Sequence, residues 1–140
     1  MILLDTNVLS ALMQRVPDPA VVAWLDAQAP ETVWTTSVTL FEARYGLTLL
    51  PDGQRRTRLQ QELEQLVQVE FGHRVLAFDA RAAQQAALLS ARRKAQGRNV
   101  DMRDTLIAGI ALAHGATLAT RNTRHFDDLS VPVVNPWPAP

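Results

Sequence analysis

The sequence predicts an α/β fold: a central parallel sheet of four or five short strands with helices on both faces. Two observations carry this expectation. Short apolar or β-branched runs at 2–4, 32–36, 75–78, 116–120 and 131–134 alternate with longer amphipathic stretches. Strands separated by helices need crossover connections, and crossovers make neighbouring strands parallel. Residues that cap helices also follow directly on several of these runs, so each strand end doubles as a helix start.

Each element has its own local reason. Ile2–Leu4 is apolar and stops at Asp5, after which Thr6 and Asn7 can cap a helix bearing Val8, Leu9 and Leu12. Pro17-Asp18-Pro19 interrupts that helix, and Asp18 with Pro19 at the first helical position starts another through Val21, Val22, Trp24 and Leu25. Residues 32–36 are β-branched and aromatic, a second strand, and Ser37 can cap a helix carrying Leu40, Phe41, Tyr45 and Leu47. Pro51-Asp52-Gly53 is a turn. Leu59, Leu63, Leu66 and Val67 then recur at helical spacing opposite a polar face.

Residues 75–78 form the third strand, and Asp79 caps an alanine-rich helix that stops at Gly97. Asp101 caps the next helix, whose apolar stripe is Leu106, Ile107, Ile110 and Ala111, and Gly115 ends it. Residues 116–120 are the fourth strand and 131–134 the fifth. Without an internal repeat, linker or low-complexity stretch, residues 1–140 read as one domain.

Composition narrows the function. At 47% hydrophobic and 20% charged the chain is globular rather than disordered. It has no apolar run of the ~18–20 residues a bilayer span needs, and a carboxylate at position 5 breaks any leader-like start. A cytoplasmic protein without a membrane partner is expected. The absence of cysteine excludes disulfides, thiolate zinc sites and thiol nucleophiles. Net charge is +0, yet the only lysine among 14 basic residues is Lys94, and arginine suits bidentate phosphate contacts. Arg55, Arg56 and Arg58, and Arg92, Arg93, Lys94 and Arg98, read as solvated helix faces; Arg121 and Arg124 follow the fourth strand.

In open parallel sheets, ligands bind beyond the carboxyl ends of the strands. Asp5 lies directly after the first strand, Glu42 early in the helix after the second, Asp104 in the first turn of the helix before the fourth, and Asn122 just past the fourth. Taken singly these are a cap, a solvated acid, a favourable helix-start charge and a turn former. Taken together they are an oxygen donor set. Carboxylates 4 Å apart repel by about 4 kcal/mol at an effective dielectric of 20, so such a cluster calls for a cation or raised pKa values. With His73, His114 and His125 dispersed, oxygen-only donors suit Mg²⁺ or Mn²⁺ rather than zinc.

Met1-Ile2-Leu3-Leu4-Asp5-Thr6-Asn7-Val8-Leu9-Ser10 resembles the opening strand and Asp-Thr-Asn signature of PIN-domain nucleases. Asp104-Thr105-Leu106-Ile107-Ala108-Gly109, followed by residues 116–126 with Thr120-Arg121-Asn122, is similar to the second half of that pattern. Val133-Val134-Asn135-Pro136-Trp137 resembles the close of VapC-type and plasmid-stability toxins. The likeness implies a PIN-like fold and a metal-dependent endoribonuclease, the toxin of a type II toxin–antitoxin pair. It maps the catalytic, metal-binding acids onto Asp5, Glu42 and Asp104, with Mg²⁺ or Mn²⁺ as cofactor.

Asn122 departs from the pattern, placing an amide where an acid is possible; an amide is at most a weak ligand and adds no charge. Asp101, one turn before Asp104, reads as a helix cap, and Asp127 and Asp128 as a surface turn. Thr6 either supports Asp5 or caps the helix. Arg121, Arg124 and His125 read equally as RNA phosphate contacts and as a solvated turn. The resemblance also implies a homodimer, and a small antitoxin whose arginine would neutralise the acidic pocket. Trp24, Trp34, Phe41, Tyr45 and Leu49 suit either such a surface or, with more weight, the core. The rival expectation is a catalytically weak or inactive PIN-fold module that binds RNA or a protein.

Overall fold

Five parallel strands run through the centre of the computed structural model, which describes residues 1–138. Residues 139 and 140, the end of the expected 1–140 unit, lie outside the described residues. The strands are β1 (Ile2–Leu4), β2 (Val33–Thr36), β3 (Val75–Leu76), β4 (Thr117–Ala119) and β5 (Val133–Val134), in the order β3-β2-β1-β4-β5. The chain thus builds outward in one direction from β1 to β3, then returns to lay β4 on the other side of β1. The seam between β1 and β4, with Leu3 opposite Leu118 and Leu4 opposite Ala119, is the topological switch point.

Six α-helices connect the strands: α1 (Thr6–Leu12), α2 (Pro19–Asp26), α3 (Ser37–Thr48), α4 (Gln54–Gln65), α5 (Ala80–Ala95) and α6 (Met102–His114). Successive strand residues face opposite ways, and that alternation divides the core. Leu3 and Leu118 pack with Ala82, Leu89, Ile107 and Ile110 of α5 and α6. Leu4 and Ala119 pack with Val8, Val21, Ala43 and Leu63 of α1 to α4. Helices on both faces follow from strands that are apolar on both sides.

Several local expectations are corrected. Asp5, not Thr6 or Asn7, is the N-cap of α1, its carboxylate accepting from the Thr6 amide. Thr36 caps α3, accepting from Thr39 N at 3.0 Å; Ser37 is the first helical residue and accepts instead from Phe78 N. The strands are shorter than the apolar runs. A 3₁₀ turn over Pro30–Thr32 delays β2, and β3 ends after Leu76 as Asp79 N turns back to the Ala77 carbonyl. The helix α4 widens into a π-helical turn over Leu66–Glu70. Arg93 is buried rather than solvated, and its partner Asp128 is correspondingly not part of a free surface turn. No helix among the described residues is long and apolar enough to cross a membrane.

Helices α5 and α6 cross so closely that a Cβ on Gly109 would lie 2.6 Å from the Ala82 carbonyl oxygen and 2.8 Å from Ala86 Cβ. Backbone cannot yield as a flexible side chain does. Gly109→Ala is therefore expected to destabilise the fold by about 1–3 kcal/mol through overpacking. Gly46→Ala, in α3 with nothing within 4 Å of the added methyl, should instead gain up to about 1 kcal/mol from helix propensity. Urea unfolding of the two variants checks both signs.

Candidate active site

The parallel pairing of β1 with β4 delivers Asp5 and Thr120 side by side at the carboxyl end of the seam. The ladder runs one step past the strands, with Asp5 N donating to the Ala119 carbonyl at 2.9 Å. Asp5 is only 3% exposed. Thr120 Oγ1 donates to its Oδ2 at 2.7 Å and Thr6 N donates to Oδ1 at 2.8 Å. The Thr120 hydroxyl is itself fully used, accepting from Asn122 N at 3.0 Å and from Asn7 Nδ2 at 3.3 Å. Asn7 Oδ1 in turn accepts from Arg121 N. This web anchors the loop after β4 to the start of α1.

Glu42 reaches the same edge from α3. Thr6 Oγ1 donates to its Oε1 at 2.8 Å, and Arg103 Nε lies 3.6 Å from its Oε2. Thr6 therefore serves two acids, Asp5 through its amide and Glu42 through its hydroxyl. Asp104 comes from the first turn of α6, its Oδ2 2.8 Å from His125 Nδ1. Asp101 caps α6 and sits 3.5 Å from Arg103, and the Arg103 amide holds its carboxyl below the ordinary range.

Burial pushes the Asp5 carboxyl up from 3.8 to about 6, against the lowering effect of the bonds from Thr120 and Thr6. The charges of Asp104 and Glu42 add to the rise, so both acids lie close enough to act on Asp5. Among the described residues, however, no three His, Asp or Glu side chains converge as a finished metal cage. Glu42 and Asp104 are each engaged by a neighbour of their own. An oxygen-only, partly assembled set of this kind fits Mg²⁺, which keeps several waters and is bound through one or two carboxylates together with substrate phosphates.

The remaining expected residues fall on one loop. Arg121, Asn122, Arg124 and His125 line a shallow cavity of about 320 Å³. The Asn122 side chain is exposed, and its link to the acids runs through its backbone amide. The Arg121 guanidinium lies 4.9 Å above the Trp137 ring. The five apolar candidates separate: Trp24 and Trp34 pack on the core, whereas Phe41 and Tyr45 on α3 and Leu49 at its C-cap are more than half exposed. Thr120 and Arg103 were not expected at the site. Thr120 could have been found by continuing the β1–β4 register one residue; Arg103 could not, because its role arises only where α6 meets α3.

A family model described as PIN domain matches residues 2–131. The VapC ribonuclease Y4jK of Sinorhizobium fredii is 44% identical over 137 residues, covering 98% of each chain. Toxin FitB of Neisseria gonorrhoeae is 39% identical over 137 residues, covering 98% of this chain and 99% of FitB. The crystal structure of FitAcB from Neisseria gonorrhoeae superposes with a TM-score of 0.89 at 39% identity, covering 99% of this chain and 100% of that one.

A raised carboxyl has a definite consequence for stability. Between pH 3.8 and about 6 the folded chain holds a proton on Asp5 that the unfolded chain has released, so stability falls as pH rises through that window. That rise corresponds to about 3 kcal/mol once Asp5 is ionised. Without divalent metal, Asp5→Asn is expected to be more stable than the unsubstituted protein at pH 7.5, by up to that amount, and to lose the advantage near pH 4. Denaturant unfolding at both pH values decides it; equal stability at pH 7.5 would contradict the burial argument.

Proposed function

The chain belongs to the PIN domain family, and from that premise we propose that it is a metal-dependent endoribonuclease, the toxin of a type II toxin–antitoxin pair. One observation carries the reading: a buried carboxylate at the β1–β4 switch point, pushed up to about 6 with Asp104 and Glu42 acting on it. A carboxyl displaced in this way at a ligand-binding edge is characteristic of functional sites. The ribonuclease and toxin names of relatives 44% and 39% identical over nearly the full length give further support.

Asp5, Asp104 and Glu42 would hold Mg²⁺ or Mn²⁺, whose chemistry is to polarise a phosphoryl oxygen and offset charge in an in-line displacement. The chain's own residues do the rest. The bonds from Thr120 and Thr6 fix Asp5 in one direction. Thr6 steadies one oxygen of Glu42, and the other, which faces Arg103 at 3.6 Å, would accept the proton of the attacking water. Arg121, Arg124 and His125 flank the acids on a single loop, suited to the RNA backbone. Because water is the nucleophile, the 2′-hydroxyl stays unused and the products carry a 3′-hydroxyl and a 5′-phosphate. The exposed Phe41–Tyr45–Leu49 stripe, with the two rings stacked at 6.0 Å, supports a protein partner, either a second copy or the antitoxin.

The test is direct. Purified protein with structured RNAs and Mg²⁺ or Mn²⁺ should give fragments bearing 5′-phosphates. EDTA should abolish cleavage, and Asp104→Asn should slow it at least ~100-fold, about 2.7 kcal/mol in the barrier. Tight RNA binding without cleavage in any of these reactions would favour a binding module instead.

A further inference from the structure

Arg93, in the last turn of α5, carries its charge into the interior at 3% exposure. Its Nε and Nη2 fork onto the Asp128 carboxylate at 2.8 Å each. Nη2 also donates to the His125 carbonyl at 2.8 Å, and Nη1 to Thr105 Oγ1 at 2.9 Å. One guanidinium thus ties the end of α5 to the first turns of α6 and to the loop after β4. Thr105 adjoins Asp104, and the His125 ring lies 2.8 Å from the Asp104 carboxylate. Both partners of the Asp104–His125 contact are therefore anchored, one residue or one carbonyl away, to the same group.

Stability alone is a weak reason for this arrangement. Buried ion pairs are often matched or bettered by apolar residues of similar volume, and Leu89 and Phe126 already provide an apolar setting on this face. A planar fork with several donors supplies something different, which is fixed direction. We propose that Arg93 is a positioning residue for the candidate site: it clamps the Thr123–His125 turn to the start of α6, holds the His125 ring on Asp104, and so sets the direction of that carboxylate. With Asp104 as the acceptor, the contact needs a hydrogen on His125 Nδ1, and the ring is half exposed. The link from this clamp to metal binding rests on the reading of Asp104 as a metal ligand; the clamp itself does not.

Arg93→Lys keeps the charge but loses the fork, and Asp128→Asn keeps the shape but removes the anion. Leu63→Ala, in the core on the opposite face of the sheet, is the control for lowered stability alone. Long-range ¹H–¹⁵N spectra of the His125 ring, calorimetric titration with Mn²⁺ and thermal melts are the readouts. The unsubstituted protein should show the Nδ1–H tautomer of His125. In both network variants the ring should relax to the mixed tautomers of free imidazole, and the Mn²⁺ Kd should rise about 10–100-fold, as for other residues that orient ligands from behind. Leu63→Ala should melt lower with both readouts unchanged. In a His125→Ala background, Arg93→Lys should add nothing further to the Mn²⁺ Kd.

If the network variants melt lower while the His125 spectrum stays as it was, Arg93 is structural only and the proposal is overturned. Should Arg93→Lys fail to fold, Asp128→Asn decides. If the unsubstituted protein binds no Mn²⁺, the metal reading falls, while the His125 spectra still decide the clamp.

Discussion

The candidate site depends on one constraint: a carboxylate held at the end of a buried parallel strand. Asp5 follows β1 without a break and inherits that strand's burial, so its ionised form loses most of the solvation it would have in water. Thr120 and the Thr6 amide return part of it through hydrogen bonds. They do not return all of it, and the neighbouring acids add repulsion. A residue placed only to cap α1 would do so at the surface, where capping is worth about 1 kcal/mol without this opposing cost. The position makes sense as a site whose ionised state is completed by a ligand of opposite charge.

Much of this was legible in the chain. The fold class followed from strand and helix periods, and the five runs became the five strands. Asp5, Glu42 and Asp104 could be singled out as candidates because switch-point geometry directs attention to strand ends and helix starts, which are visible in sequence. Caps were less legible, since Asp5, Thr6 and Asn7, or Thr36 and Ser37, offer adjacent side chains of similar chemistry. The choice between them falls to the strand register, which decides which residue leaves the sheet with extended backbone.

Arg93 shows what sequence could not reveal. Within Arg92-Arg93-Lys94 charge does not distinguish the middle residue. Helical phase puts it on the inner face beside Leu89, but charge argues for solvent, and charge usually prevails. What reverses the outcome is Asp128, 35 residues away, in a loop that has no regular period to read. The same holds for Arg103, which meets Glu42 only once α3 and α6 are packed. Long-range polar pairs are set by tertiary closure, so their members look like ordinary surface charge until the fold brings them together.

That pairing also bears on how a chain of zero net charge could hold RNA. Of the 14 basic residues, Arg44, Arg56, Arg93, Arg98 and Arg103 are each within salt-bridge distance of an acid, so part of the basic charge is neutralised inside the molecule. Arg121 and Arg124, on the loop beside Asp5, have no acidic partner among the described residues, and Arg121 is steadied against Trp137. Net charge governs attraction at long range, where salt screens it beyond about 8–10 Å. Contact with a phosphate depends on the guanidinium groups that stand next to the place it would occupy. On the proposed reading, Arg121 and Arg124 are the cations placed to hold the RNA backbone next to the acids at the sheet edge, whatever the net charge of the whole chain.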